Sequence, residues 1–176
     1  MDELRHVLES LCCDYNSKAF LPILEADVAA YLYHLWISKF GEAVSLHLDT
    51  RVYQKPKSRY DFVVGKIDYD VGKPCITKPE LVAELKAFPY GFTDQQHRVH
   101  YFHVINDDLP KLQFIRNPTD SRYEILFDED DYLRGFDNNT QCSRLDRLVK
   151  RRNDLDPKIA IAYLRKSAKG LELRFI

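Results

Sequence analysis

Two stretches decide how this chain is read: "RYDFVVG" at residues 59–65 and "ELVAELKAF" at residues 80–88. Both are short and rich in apolar residues, and both read as strands. An Asp opens the apolar run of the first, and a Glu and a Lys sit inside the second. Side chains two apart in a strand point to the same face. Glu84 and Lys86 therefore share one face, and Leu81, Ala83, Leu85 and Ala87 share the other. A polar pair flanked by apolar residues on both sides marks a central strand. A loop of moderate length joins the two runs, which makes them an antiparallel pair. Asp61 then lies beside Glu84 at the open end of that pair.

Two neighbouring carboxylates repel and need a cation. Lys86 supplies one charge, and a divalent ion supplies two. An oxygen-rich site suits Mg²⁺, which accepts one or two carboxylates, keeps several waters and leaves room for a phosphate. Mn²⁺ is a natural substitute. A nearby lysine orients a water or stabilises charge on a phosphate oxygen. Asp61, Glu84 and Lys86 together are the catalytic candidates for metal-assisted phosphodiester hydrolysis.

Outward from these strands the periodicity gives the remaining elements. Leu4, Val7, Leu8 and Leu11 recur at helical spacing within residues 2–15. Residues 16–41 read as a second helix, with Pro22 in its first turn and Gly41 at its end. Residues 42–53 alternate as a strand, 59–69 form a second and 80–88 a third. A polar helix follows over 93–109, with Thr93 as N-cap and Pro110 limiting its end. Residues 122–130 read as a strand, 141–154 as a helix, and 158–166 and 171–176 as strands joined by a hairpin at "SAKG". The order predicts an α/β fold, a mixed sheet flanked by helices.

At this point the residues resemble a known family. Asp61, followed across a hairpin by Glu84-Leu85-Lys86, is similar to the PD-(D/E)xK nuclease superfamily, with Tyr60 where the motif name has Pro. The resemblance implies a restriction endonuclease-like core of order αβββαβ, here residues 22–127, within a single nuclease-like domain 1–176. The helix and hairpin of 141–176 lie outside that core. The resemblance further implies Mg²⁺ held by Asp61 and Glu84, Lys86 as the residue that handles the attacking water, and DNA rather than RNA as substrate. A Glu on the first core helix often reaches such a metal. Glu25 fits, and it shares a helical face with Val28, Ala29, Leu32 and Trp36, where a carboxylate must be paired or bound to metal. A Gln near the start of the helix after the "ExK" strand often supports the site, and Gln95 or Gln96 matches.

Each feature also has a plainer reading. On an exposed strand Glu84 and Lys86 form an ordinary ion pair. Asp61 caps a turn or pairs with Arg59, and Glu25 is a first-turn acid favoured by the helix dipole. His97, His100 and His103 read as solvated or half-buried rather than as a zinc face. Asp107 and Asp108 read as turn and helix-end residues, and "DEDD" at 128–131 as a solvated loop.

Composition narrows the class. The 176 residues suit one domain. The mix of 45% apolar and 30% charged residues is that of an ordinary soluble protein, and no apolar run is long enough for a membrane span. The acidic, amphipathic start is no signal peptide. Cys12, Cys13, Cys75 and Cys142 match no zinc spacing and read as reduced thiols of a cytoplasmic protein. A net charge of −1 excludes a strongly basic overall field, so nucleic-acid binding needs a local surface. Arg144, Arg147, Lys150 and Arg151 on the last helix offer one, or are simply its solvent face. Specificity falls either to loops such as 70–79 and 117–122 or to a partner, and a homodimer would supply the second site that cutting both strands needs, unless the chain acts inside a larger complex. The alternative function is an inactive nucleic-acid-binding or regulatory module with the same fold.

Overall fold

The structure, a computed structural model, describes residues 2–41, 46–53, 57–69, 75–115, 121–136 and 141–176. The turn at 54–56, the start of the first expected strand at 42–45, half of the expected specificity loop 70–79 (70–74) and most of the other (117–120) lie outside the described residues.

Helix α1 (Asp2–Asn16) buries Leu4, Val7, Leu8 and Leu11, as its spacing predicts. Helix α2 (Glu25–Phe40) starts later than the sequence reading has it, and Pro22 lies outside it. The reason is local: the Asp27 carboxylate accepts the amides of Ile23 and Leu24, each at 2.8 Å, and so closes the helix N-terminus there. Val28, Leu32, Leu35 and Trp36 face inward.

The strands β1 (Leu46–Arg51), β2 (Arg59–Val64), β5 (Leu81–Phe88), β6 (Arg122–Asp128), β7 (Ala160–Ser167) and β8 (Gly170–Phe175) form one six-stranded sheet in the order β1-β2-β5-β6-β7-β8. β5, β6 and β7 run parallel, and the other neighbours are antiparallel. The architecture is α/β with a mixed sheet. The segment read as one strand over 59–69 is two. Gly65 breaks it at φ +155, where an added Cβ would meet Ile76 Cγ2 at 2.8 Å. Beyond it, β3 (Ile67–Asp68) pairs with β4 (Cys75–Ile76) as a separate ribbon.

The sheet divides the core. One face carries Leu81, Ala83, Leu85, Ala87, Ile125, Phe127 and Leu164 against α1 and α2. The opposite face carries Val82, Phe88, Leu126, Ile161 and Tyr163 against the remaining helices. On that side α3 (Asp94–His103) leads through a π-turn (Val104–Asp108) into α4 (Leu109–Gln113). Pro110 therefore does not end the helix, contrary to expectation. A proline ring clashes with the carbonyl four residues back in a regular α-helix. Here the turn is widened, and the Leu109 amide bonds five residues back to Val104 O. Helix α5 (Arg144–Leu155) starts at a capping box in which Ser143 accepts from the Asp146 amide and the Asp146 carboxylate takes the Ser143 amide. The hairpin at Ser167–Gly170 joins β7 to β8 as the sequence predicts.

Candidate functional site

The site forms where β2 leaves β5. The two strands pair only from Phe62 to Val64, opposite Ala83 to Leu81. Past Ala83 the β5 amides that would face β2 have no strand partner. Two carboxylates take them instead. Asp61 Oδ2 accepts the Leu85 amide at 2.7 Å, and Glu25 Oε2 accepts the Ala87 amide at 3.0 Å. Each acid thus satisfies a backbone donor that burial would otherwise leave unpaired.

Lys86 stands between them and the helical layer. Its Nζ lies 3.3 Å from Glu25 Oε1 and 3.7 Å from Asp108 Oδ2. Asp108 comes from the π-turn, and that widened turn carries it over the sheet. On the same face, Glu84 Oε1 lies 2.7 Å from Lys111 Nζ of α4. Glu124 occupies the position next to Glu84 in the parallel register of β5 and β6. It is fully buried, and neither carboxyl oxygen has a hydrogen-bond partner among the described residues. His100 of α3 closes the other side. Its Nδ1 donates to Ala87 O at 2.8 Å and lies 4.0 Å from Glu25 Oε2.

Electrostatics here follow from burial. Burial, then the charge of Asp61, push the Glu84 carboxyl well above the usual range, against the pull of Lys111. Burial raises Glu124 likewise, with Asp108 and Glu84 adding to it. Asp108 is pushed up to about 6 by burial, although Lys86 and Lys111 pull it down. Burial alone would lower the Lys86 ammonium, but Glu25, Asp108 and Asp61 outweigh it and hold Lys86 above its ordinary value.

The donors gathered here are of the type a hard cation would accept. All are carboxyl oxygens, and Asp108 Oδ2 and both Glu124 oxygens have no hydrogen-bond donor among the described residues. Among those residues no group of three or more His, Cys, Asp or Glu side chains is placed to hold a metal ion as it stands. Lysine ammoniums stand between the carboxylates instead, at Glu25 and at Glu84. The oxygens of Asp61, Glu84 and Asp108 fit Mg²⁺ or Mn²⁺ by type, and a soft metal finds no sulfur or imidazole set among them.

Asp61, Glu84, Lys86 and Glu25, all expected from sequence, meet in this one place. Arg59, the plainer partner offered for Asp61, pairs with Asp49 instead. Gln95 and Gln96 are exposed, and Gln96 Oε1 accepts the Thr93 amide at 2.8 Å as part of the helix cap. Among the described residues, neither forms a hydrogen bond or ion pair with Asp61, Glu84 or Lys86. From that helix the residue touching the site is His100. Asp108, Lys111, Glu124 and His100 were not singled out from sequence as members of this site. A lone Glu inside the apolar "YEILF" run was the available signal for Glu124.

The other candidates sit elsewhere. His97 is buried and stacked 4.8 Å from the Tyr132 ring, while His103 is exposed, so the three helical histidines share no face. Asp128 is fully buried rather than in a solvated loop. It accepts the Tyr132 and Leu133 amides and the Tyr163 hydroxyl. Arg144 is buried as well, donating to Tyr132 O at 2.9 Å with its guanidinium 4.0 Å above the Tyr132 ring. This corrects the reading that put Arg144 on an outward basic side. Arg147 lies over Tyr101, Lys150 is exposed and Arg151 is half-buried. All four cysteines are free, and among the described residues no helix is long and apolar enough to cross a membrane.

No family model, curated protein or solved structure matches the chain.

Proposed function

We propose that the chain is a metal-dependent nuclease of the PD-(D/E)xK kind, with a restriction endonuclease-like core built from α2, β1, β2, β5, the α3–α4 segment and β6. The observation that carries this reading is the set of carboxylates gathered where β2 leaves β5: Asp61 on the Leu85 amide and Glu25 on the Ala87 amide, on either side of Lys86, with Glu84 next to Leu85 on the same strand. Asp61 and Glu84 would hold the divalent ion, with Glu25 and Asp108 at its margin. When bound, Mg²⁺ or Mn²⁺ supplies Lewis acidity to a phosphate oxygen and lowers the pKa of a water. Glu25 and Asp108 aim the Lys86 ammonium. Lys86 orients the attacking water and offsets charge building on the phosphate. The substrate class proposed is nucleic acid, DNA before RNA, with a homodimer supplying the second site on a duplex.

The second reading, an inactive nucleic-acid-binding or regulatory module, is favoured by the net charge of −1 and by the loss of Arg144 to the interior. One experiment separates the two. Single-stranded, duplex and branched DNA and RNA are incubated with the protein in Mg²⁺, in Mn²⁺ and in EDTA. The nuclease reading expects cutting that needs the metal and is lost in Lys86→Ala. Binding without cutting by the wild type moves the assignment to the module.

A further inference from the structure

Glu84 already has a cation of the chain's own. Lys111 Nζ stands 2.7 Å from Glu84 Oε1, and the Lys111 side chain is only 22% exposed. It is not a loose surface amine. Its Nζ lies 5.3 Å from the centroid of the Tyr60 ring, and its carbonyl accepts the Tyr60 hydroxyl at 3.3 Å. Tyr60 immediately precedes Asp61. Lys111 is therefore docked on the strand that carries one proposed metal ligand, with its charge on the other.

The two lysines of the site do different things. Lys86 faces Glu25 and Asp108, and neither contact involves Glu84. Lys111 holds an oxygen that the divalent ion needs. An ammonium 2.7 Å from a carboxylate oxygen and a divalent cation on that same oxygen would repel each other strongly at a buried site.

We propose that Lys111 is an internal competitor for the divalent ion: it occupies Glu84 Oε1 in the metal-free chain and is displaced from it when the ion binds. Lys111 thereby sets the metal affinity of the site. It is a positioning residue, because it keeps the buried Glu84 side chain in place until the ion takes over. This inference rests on the nuclease reading of the site.

The test is a calorimetric titration of Mn²⁺ into wild type, Lys111→Met, Lys111→Arg and Glu84→Gln, each run in two buffers of different ionisation enthalpy so that proton release is separated from metal binding. Lys111→Met keeps the stem over Tyr60 and drops the charge. It is expected to bind Mn²⁺ on the order of tenfold tighter than wild type, while Lys111→Arg stays close to wild type. Glu84→Gln should lose the binding. A second measurement needs no substitution: Mn²⁺ should raise labelling of the Lys111 amine in the wild-type chain, read by mass spectrometry. Mn²⁺ binding by wild type with Lys111→Met no tighter, or Lys111 labelling unchanged by bound Mn²⁺, overturns the inference and leaves the nuclease reading standing. Absence of binding to wild type and Lys111→Met alike overturns both.

Discussion

Asp61 Oδ2 accepts the Leu85 amide at 2.7 Å, and so a side chain takes over where a strand has stopped pairing. Leu85 lies between Glu84 and Lys86, so the same bond ties the first carboxylate to the segment carrying the other two candidate groups. Glu25 repeats the arrangement one step along, on Ala87. The site is therefore not grafted onto a finished sheet. Its acids complete the hydrogen bonding of β5 and keep further oxygen lone pairs for a ligand.

This double role separates two substitutions at Asp61. Asp61→Asn keeps an oxygen for the Leu85 amide and should unfold within about 1 kcal/mol of wild type. Asp61→Ala leaves that donor unpaired and should cost about 1–3 kcal/mol. Both should lose Mn²⁺ binding. Urea unfolding and calorimetry check the two halves independently, and equal stability of the two variants would sink the backbone role.

Glu25→Gln preserves an acceptor for Ala87 but removes a charge from Lys86. Burial then works on the ammonium with less opposition, since Glu25 is the leading influence that raises it. The Lys86 pKa should fall, as an NMR titration of its side-chain amine would show. An unchanged value would mean that Asp108 and Asp61 suffice.

Acid should stabilise the metal-free protein over one window. Burial pushes Asp128 and Asp108 each up to about 6, from an ordinary 3.8. A carboxyl raised by folding binds its proton more tightly in the native state, so its contribution is full below the unfolded value and is lost as pH rises through the folded one. In EDTA, the urea midpoint should rise as pH falls from about 6 toward about 4. Asp128→Asn should be less stable at every pH and show a shallower rise. A midpoint that only falls on acidification would contradict the raised values.

The start and the middle of the basic helix should behave differently. Arg144→Ala removes a buried guanidinium from Tyr132 O and its ring and should cost about 2–4 kcal/mol of stability. Lys150→Ala is a surface change and should stay within about 0.5 kcal/mol. If the helix meets phosphates, Lys150→Ala should weaken binding to all sequences and reduce the salt slope by about 1. Fluorescence anisotropy across a salt series reads both.

Period and residue type made part of this site legible. Strand alternation put Glu84 and Lys86 on one face, and helical spacing put Glu25 at the head of an apolar stripe. What pattern cannot carry is contact between elements. Lys111 and Asp108 reach the site because a π-turn carries the helix past Pro110, where the local rule says stop. Glu124 joins through the parallel register of β5 and β6, which no spacing along the chain encodes. Gln96 looked like a site residue because cap positions and site positions favour the same polar side chains at a helix start. Arg144 and Asp128 were read as solvated because charge usually means exposure, and both instead satisfy buried backbone groups around Tyr132.

The most direct test of the central claim is the dependence of cleavage on Mg²⁺ concentration, for wild type and Asp61→Asn, on the most susceptible nucleic acid of the panel. The account predicts a rate that rises from zero in EDTA, saturates with Mg²⁺ in the wild type, and is absent in a folded Asp61→Asn protein. Cutting that persists in EDTA, or that Asp61→Asn retains at the wild-type rate, would contradict it.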